Sequence, residues 1–163
     1  MNGHETATFA IGNGMLALLG HPREQARLPD RPGPVTTAVE EMLCYDGPVQ
    51  MRGVVAGHDH EVGATRILAG QALWLAVGAT GRDPRQFPEP RRFDVRRAPN
   101  RHLQFGVGPH FCHGAALARA EIELALAGLL GRFRQIDVAA DRVDWHHIAA
   151  FRGPQAVPLT LGH

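Results

Sequence analysis

The segment Phe105–Gly114, FGVGPHFCHG, runs without a break into AALARAEIELALAGLLGRF, and this junction constrains the chain more than any other feature. Cys112 stands on a glycine-rich turn at the mouth of the helix that follows. The first amide N–H groups of a helix have no intrahelical partner, and the helix dipole is positive at that end. Negative charge on a nearby sulfur is therefore favoured. Gly106 and Gly108 carry no Cβ, which lets the backbone lie flat against something large. Two readings follow from these residues. Cys112 is a thiolate held against a broad flat group, or it is a small buried hydrophobe, as most single buried cysteines are.

The remaining composition narrows the class of molecule. The 163 residues, 44% hydrophobic and 20% charged, suit one globular domain with a core. A net charge of +1 argues against nucleic acid as a partner, and all 17 basic residues are arginine. Two cysteines, Cys44 and Cys112, make neither a disulfide framework nor a zinc site. The sequence predicts no signal peptide before the first helix. The longest apolar run, Ile67–Ala79, is broken by Gln71 and two glycines and is too short to span a bilayer. The expectation is a soluble, cytoplasmic chain with no membrane attachment.

Along the chain, Ile11, Met15, Leu18 and Leu19 form an apolar stripe at helical spacing within residues 4–20, and His21-Pro22 ends it. The polar and small residues Asn2, Gly3, Glu5 and Thr6 read locally as an N-terminal cap with an acidic first turn. Residues 22–31 predict a short polar helix, closed by the breaker Arg31-Pro32-Gly33-Pro34. Thr37 and Glu40 fit a capping box opening a helix that carries Glu41 and Cys44. Short β-type runs with glycine turns follow between Val49 and Leu75. His58 and His60 flank Asp59 in what reads as a solvated turn rather than a metal site. Residues 81–101 predict an ordered, irregular loop anchored by Phe87 and Phe93. The seven arginines there face only Asp83, Glu89 and Asp94, which reads either as a solvated surface or as a docking patch for an acidic partner. Residues 114–133 predict a strong helix that buries Ile122, Leu126, Leu129 and Leu130 and pairs Arg119 with Glu123; Val157–Leu161 predicts a last short strand.

A cysteine thiolate under a flat group is one way in which proteins ligate haem iron, and the motifs in order resemble the C-terminal part of a soluble, bacterial-type cytochrome P450. His4-Glu5-Thr6 resembles the family's oxygen-activation turn, and the helix at Glu40-Glu41-Met42-Leu43-Cys44 resembles the one bearing its ExxR pair. Arg82-Asp83-Pro84, Phe87-Pro88 and Phe93–Arg97 resemble the meander, and His102–Gly114 resembles the haem-ligand signature. The resemblance implies a mainly α fold with small β-sheets, incomplete relative to a whole family member. Its parts would be the second half of the long oxygen-activation helix (1–20), the ExxR-type helix (34–46), small strands (49–80), the meander (81–101), the ligand loop (102–114) and the helix after the cysteine (114–133). It also implies that the first helix begins upstream of Met1, against the local cap reading.

Roles follow from the resemblance residue by residue. Cys112 would be the axial thiolate of haem b, with Phe105, Gly106, Gly108 and Gly114 shaping its loop and His110 and Arg52 holding the propionates. Thr6 and Glu5 would relay protons for dioxygen activation. The implied activity is a haem-thiolate monooxygenase that hydroxylates a small organic substrate with electrons from a ferredoxin-like protein and its reductase. The alternative is a non-catalytic remnant that binds haem weakly or not at all. Glu41 and Arg97 would belong to a buried ionic network, but Cys44 stands where the family has the ExxR arginine. Glu41 would then lean wholly on Arg97 or take up a proton. His113 replaces an aliphatic residue beside the cysteine, and Gly81 replaces the asparagine before Arg82.

Overall fold

The computed structural model describes residues 3–28 and 35–162, so the breaker at 31–34, the end of the stretch 22–31 and the residues before Gly3 lie outside the described residues. The helices are α1 (His4–Leu19), α2 (Pro22–Gln25), α3 (Thr36–Asp46), α4 (Val77–Thr80) and α5 (Ala115–Arg132). The strands are β1 (Arg52–Val55), β2 (His60–Val62), β3 (Thr65–Ile67), β4 (Ala72–Leu75), β5 (Gln135–Val138) and β6 (Leu159–Gly162). The fold is mainly helical with small antiparallel sheets.

Helices α1, α3 and α5 pack together because each presents an apolar stripe that water disfavours. Leu18, Val39, Met42, Leu43, Ile122 and Leu126 meet in this core, and Phe93, Val95 and Ile136 close it. Gly14 lets α1 cross close to α3, since a Cβ there would lie 2.7 Å from the Met42 sulfur. On the other side Asn13, fully buried in α1, donates to the carbonyls of Asp46 (2.8 Å) and Arg152 (3.0 Å). That amide ties the end of α3 to the C-terminal segment.

Several local expectations give way to tertiary partners. The helix at 36–46 starts after Val35 with no side-chain cap, and the expected capping box is absent. Glu40 is instead engaged by Arg119 and His102, while the Thr36 hydroxyl donates to Glu123 at 2.6 Å. For the same reason Arg119 and Glu123 do not pair along α5. A carboxylate offered across the helix interface gives a bidentate geometry that a neighbour on the same helix does not. Helix α2 stops at Gln25 and continues as turns to Leu28, with its Glu24 buried against the Val95 amide (3.3 Å) and Arg27 (2.9 Å).

Among the described residues each sheet has two strands. β1 pairs with β4 (Arg52 opposite Leu75), β2 with β3 (His60 opposite Ile67), and β5 with β6 (Ile136 opposite Leu161). His60 lies in β2 rather than in a turn, and Asp59 is taken up by Arg66 (3.0 Å) and the Ala69 amide (2.9 Å). No group of three or more His, Cys, Asp or Glu side chains converges among the described residues, so the 58/60 pair has no third ligand. None of the described helices is long and apolar enough to cross a membrane.

Residues 81–107 contain no regular element, yet they are pinned. Phe87, Phe93 and Val95 are buried, and Phe93 stacks edge-on to Tyr45 at 5.1 Å. The Arg82 guanidinium lies 4.2 Å over the Tyr45 ring and donates to the carbonyls of Tyr45 (2.6 Å) and Pro90 (2.8 Å). An irregular backbone must place its polar groups somewhere, and arginine side chains take several of them here.

Candidate functional site

The site begins with backbone geometry. Gly106 (φ +72°) and Gly108 (φ +75°) both lie in the left-handed region, which disfavours a Cβ. These two reversals fold the loop into a turn in which the Cys112 amide donates to the Phe105 carbonyl at 2.9 Å. A single 3-10 turn at Gly108–His110 carries the chain to Phe111, and α5 starts at Ala115, three residues after Cys112.

Cys112 is exposed, and exposed apolar side chains surround it in sequence: Leu103, Val107 (75%), Phe111 (46%) and Leu117. An exposed free thiol on a turn with two left-handed glycines and exposed apolar neighbours in sequence fits a broad, flat, apolar group with a metal at its middle. The residues present are therefore compatible with haem. Cys44 differs in every respect. It is buried, and burial, helped by the nearby Glu41 charge, pushes its thiol up to about 11. It is held as a thiol, so Cys112 is the cysteine available for ligation.

Beneath the loop lies a polar cluster. The Glu40 carboxylate accepts from Arg119 Nε (2.6 Å) and Nη2 (3.0 Å) and faces His102 Nε2 at 3.1 Å. Burial pushes this carboxyl up, but the hydrogen bonds from His102 and Arg119 outweigh it and hold the group at about 2. The Arg119 guanidinium sits 4.5 Å under the Phe105 ring, and the His102 ring lies 5.7 Å from the same phenyl. The roles assigned from the sequence omit Glu40, His102 and Arg119. A Glu-Glu pair at 40–41 is the one local hint, since two adjacent carboxylates on a helix point to different neighbours.

The second polar cluster is centred on Glu41, which is 1% exposed. Its carboxylate accepts from Arg97 Nε (2.8 Å), Asn100 Nδ2 (3.0 Å) and the Asp94 amide (2.9 Å). Glu41 does lean on Arg97, though not wholly. Burial still pushes its carboxyl above the usual range, against these donors. Arg97 in turn donates to the carbonyls of Pro88 (2.7 Å) and Arg92 (2.8 Å), so one residue joins the core carboxylate to the meander. Cys44 and Gly81 touch: a Cβ on Gly81 would strike the Cys44 carbonyl oxygen and come within 3.1 Å of its sulfur. The two small residues accommodate each other.

The remaining residues singled out from sequence stand apart from one another in the chain's elements. Glu5 is exposed and Thr6 half-buried in the first turn of α1. Arg52 opens β1 and His110 closes the 3-10 turn; both are exposed, and neither side chain has a hydrogen bond or ion pair among the described residues. Of the seven arginines at 82–101, Arg85 pairs with Asp83 and Arg92 with Glu89, while Arg82 and Arg97 bind carbonyls. Arg91, Arg96 and Arg101 keep their charges unpaired among the described residues.

A cytochrome P450 family model matches residues 34–143, which takes in α3, the meander, the Cys112 loop and α5. The chain belongs to the cytochrome P450 family. The biotin biosynthesis cytochrome P450 of Bacillus subtilis is 39% identical over 159 residues, covering 98% of this chain and 40% of that protein. The 6-deoxyerythronolide B hydroxylase of Saccharopolyspora erythraea is 40% identical over 161 residues with the same coverage of both chains. Among solved structures, CYP109E1 from Bacillus megaterium, determined with corticosterone, superposes with a TM-score of 0.94 at 30% identity, over 99% of this chain and 44% of that one. P450BioI, determined with an acyl carrier protein bearing hexadec-9Z-enoic acid, gives 0.92 at 39% identity. The chain thus spans about 40% of the length of the curated relatives it matches. Membership of this family implies haem as the cofactor.

Proposed function

We infer that this chain forms the haem-binding part of a haem-thiolate monooxygenase, with the Cys112 sulfur as the ligand to iron. The observation that carries the reading is the contrast between two thiols: Cys112 is exposed on a glycine-reversed turn among apolar side chains, and Cys44 is buried and held as a thiol. Phe105, Gly106, Gly108 and Gly114 shape the seat, and the free Arg52 and His110 side chains supply the donors that propionates need. When bound, haem supplies the redox chemistry by which one atom of dioxygen enters a C–H bond and the other leaves as water. The chain's own residues contribute the thiolate and the apolar seat that excludes water. Thr6 Oγ1 and the Glu5 carboxylate pass protons inward.

Such a reaction consumes two electrons and two protons per dioxygen. We assign electron delivery to an acidic ferredoxin-like protein, fed by its reductase, that docks on Arg91, Arg96 and Arg101. Unpaired exposed charges of one sign raise the on-rate of an oppositely charged partner and lose that effect in salt. The substrate is a small organic molecule.

The test is spectroscopic. The protein loaded with haem, reduced and exposed to carbon monoxide should show the thiolate-type Soret band, and Cys112→Ala should abolish it. Retention of that band in Cys112→Ala refutes the ligand assignment. A wild-type protein that takes up no haem favours the non-catalytic alternative.

A further inference from the structure

The cluster under the Cys112 loop reaches from the α3–α5 pair up to the loop. Two rungs join α3 to α5 one helical turn apart on each: Thr36 to Glu123 and Glu40 to Arg119. Only the second rung also reaches the loop. Arg119 offers one edge of its guanidinium, Nε and Nη2, to both oxygens of Glu40, so its plane is fixed, and the Phe105 ring rests on that plane at 4.5 Å. His102, whose side chain is 2% exposed, meets the Glu40 oxygen that Arg119 Nη2 also binds; its Nδ1 accepts the Gln104 amide at 3.2 Å, which leaves Nε2 to donate to the carboxylate. Phe105 then holds Cys112 through the 2.9 Å amide-to-carbonyl bond.

We propose that Glu40, His102 and Arg119 act together as a positioning unit for the Cys112 loop: the guanidinium, held by the Glu40 carboxylate and carrying Phe105 on its face, sets the order of the Phe105–Cys112 turn. This rests on Cys112 as the haem ligand. None of the three touches the reacting atoms, so they are positioning residues. Removing the fork should loosen the ligand turn while the helical core persists.

The experiment uses the haem-loaded protein with two readouts: hydrogen exchange of the Cys112 amide, and the share of thiolate-type Soret band in the reduced carbon monoxide complex. Arg119→Gln and Glu40→Gln should each speed exchange of that amide by roughly tenfold or more and shift part of the band to the thiol type. The double variant should match Arg119→Gln, because the two side chains act as one unit. Thr36→Val breaks the other rung between the same helices and should change neither readout, though it lowers stability. Should Arg119→Gln not fold, Arg119→Lys, which keeps the charge but loses the fork, is read in the same way and should fall between. Unchanged exchange and spectrum in the Arg119 variants overturn the proposal, as does a Thr36→Val protein that reproduces their effects. If Cys112→Ala abolishes the thiolate band while the Arg119 variants leave it intact, this inference alone falls. If Cys112→Ala keeps the band, the ligand reading falls and takes this one with it.

Discussion

Arg97→Met tests the Glu41 cluster most directly. The substitution keeps much of the apolar stem and removes the one cation that binds the Glu41 carboxylate among the described residues, leaving the Asn100 amide and the Asp94 N–H as donors. Breaking a buried pair from one side typically costs about 3–5 kcal/mol. The loss has a ceiling, because Glu41 can take up a proton. From an ordinary value of 4.5, protonating it at pH 7 costs about 3.4 kcal/mol, at about 1.36 kcal/mol per pH unit. The carbonyls of Pro88 and Arg92 face solvent and can turn to water, so they add little. A destabilisation of about 3 kcal/mol at pH 7 follows, a large share of the roughly 5–15 kcal/mol that holds a domain.

The sign with pH follows from burial. The folded-state pKa of Glu41 is raised, so the folded protein holds a proton over a window where the unfolded chain has released it, and stability falls as pH climbs from 4.5 towards the folded value. Without Arg97 that window widens. The gap between wild type and Arg97→Met should therefore shrink, by at most about 1.4 kcal/mol for each pH unit, as pH falls from 7 towards 4.5. Urea unfolding of both proteins across that range measures it. A gap that stays constant with pH, or that is below about 1 kcal/mol at pH 7, would refute the reasoning that Arg97 compensates a buried carboxylate.

Other outcomes follow from packing. Phe93→Ala removes a ring that is 1% exposed and lies against His21 and Tyr45, and should cost about 3–5 kcal/mol by thermal or urea unfolding. Gly81→Ala drives a Cβ into the Cys44 carbonyl and should cost about 1–3 kcal/mol. Cys44→Ala should not rescue it, since the obstruction is backbone; rescue would show that the sulfur was the clash. Cys112→Ala should leave the stability of the haem-free protein within about 0.5 kcal/mol, because the thiol is exposed. A large loss would return Cys112 to the reading of a core residue.

Much of the fold was legible because its signals are local. The helix over 4–20, the glycine-turn strands between 49 and 75 and the aromatic anchors Phe87 and Phe93 come from periodicity, turn residues and apolar spacing. Those features act within a few neighbours and are not reassigned by distant packing. Two of the errors share one cause. Thr37 with Glu40 satisfies a capping rule, and Arg119 with Glu123 satisfies a helix-pair rule, yet each local bond is worth only a few tenths to about 1 kcal/mol. A half-buried fork between Arg119 and Glu40 exceeds that and wins.

The same contrast divides the functional reading. Sequence alone determined the family and the likeness of Cys112 to a ligand on a glycine turn, since both reside in residue identity and spacing. Only the tertiary structure decided which cysteine is exposed, which donors meet the Glu41 carboxylate, and that Glu40, His102 and Arg119 meet beneath Phe105. Those facts depend on residues 53 to 79 positions apart being brought within hydrogen-bond reach. No short-range pattern encodes such a meeting; it arises when α1, α3 and α5 bury their apolar faces against one another and carry their polar residues with them.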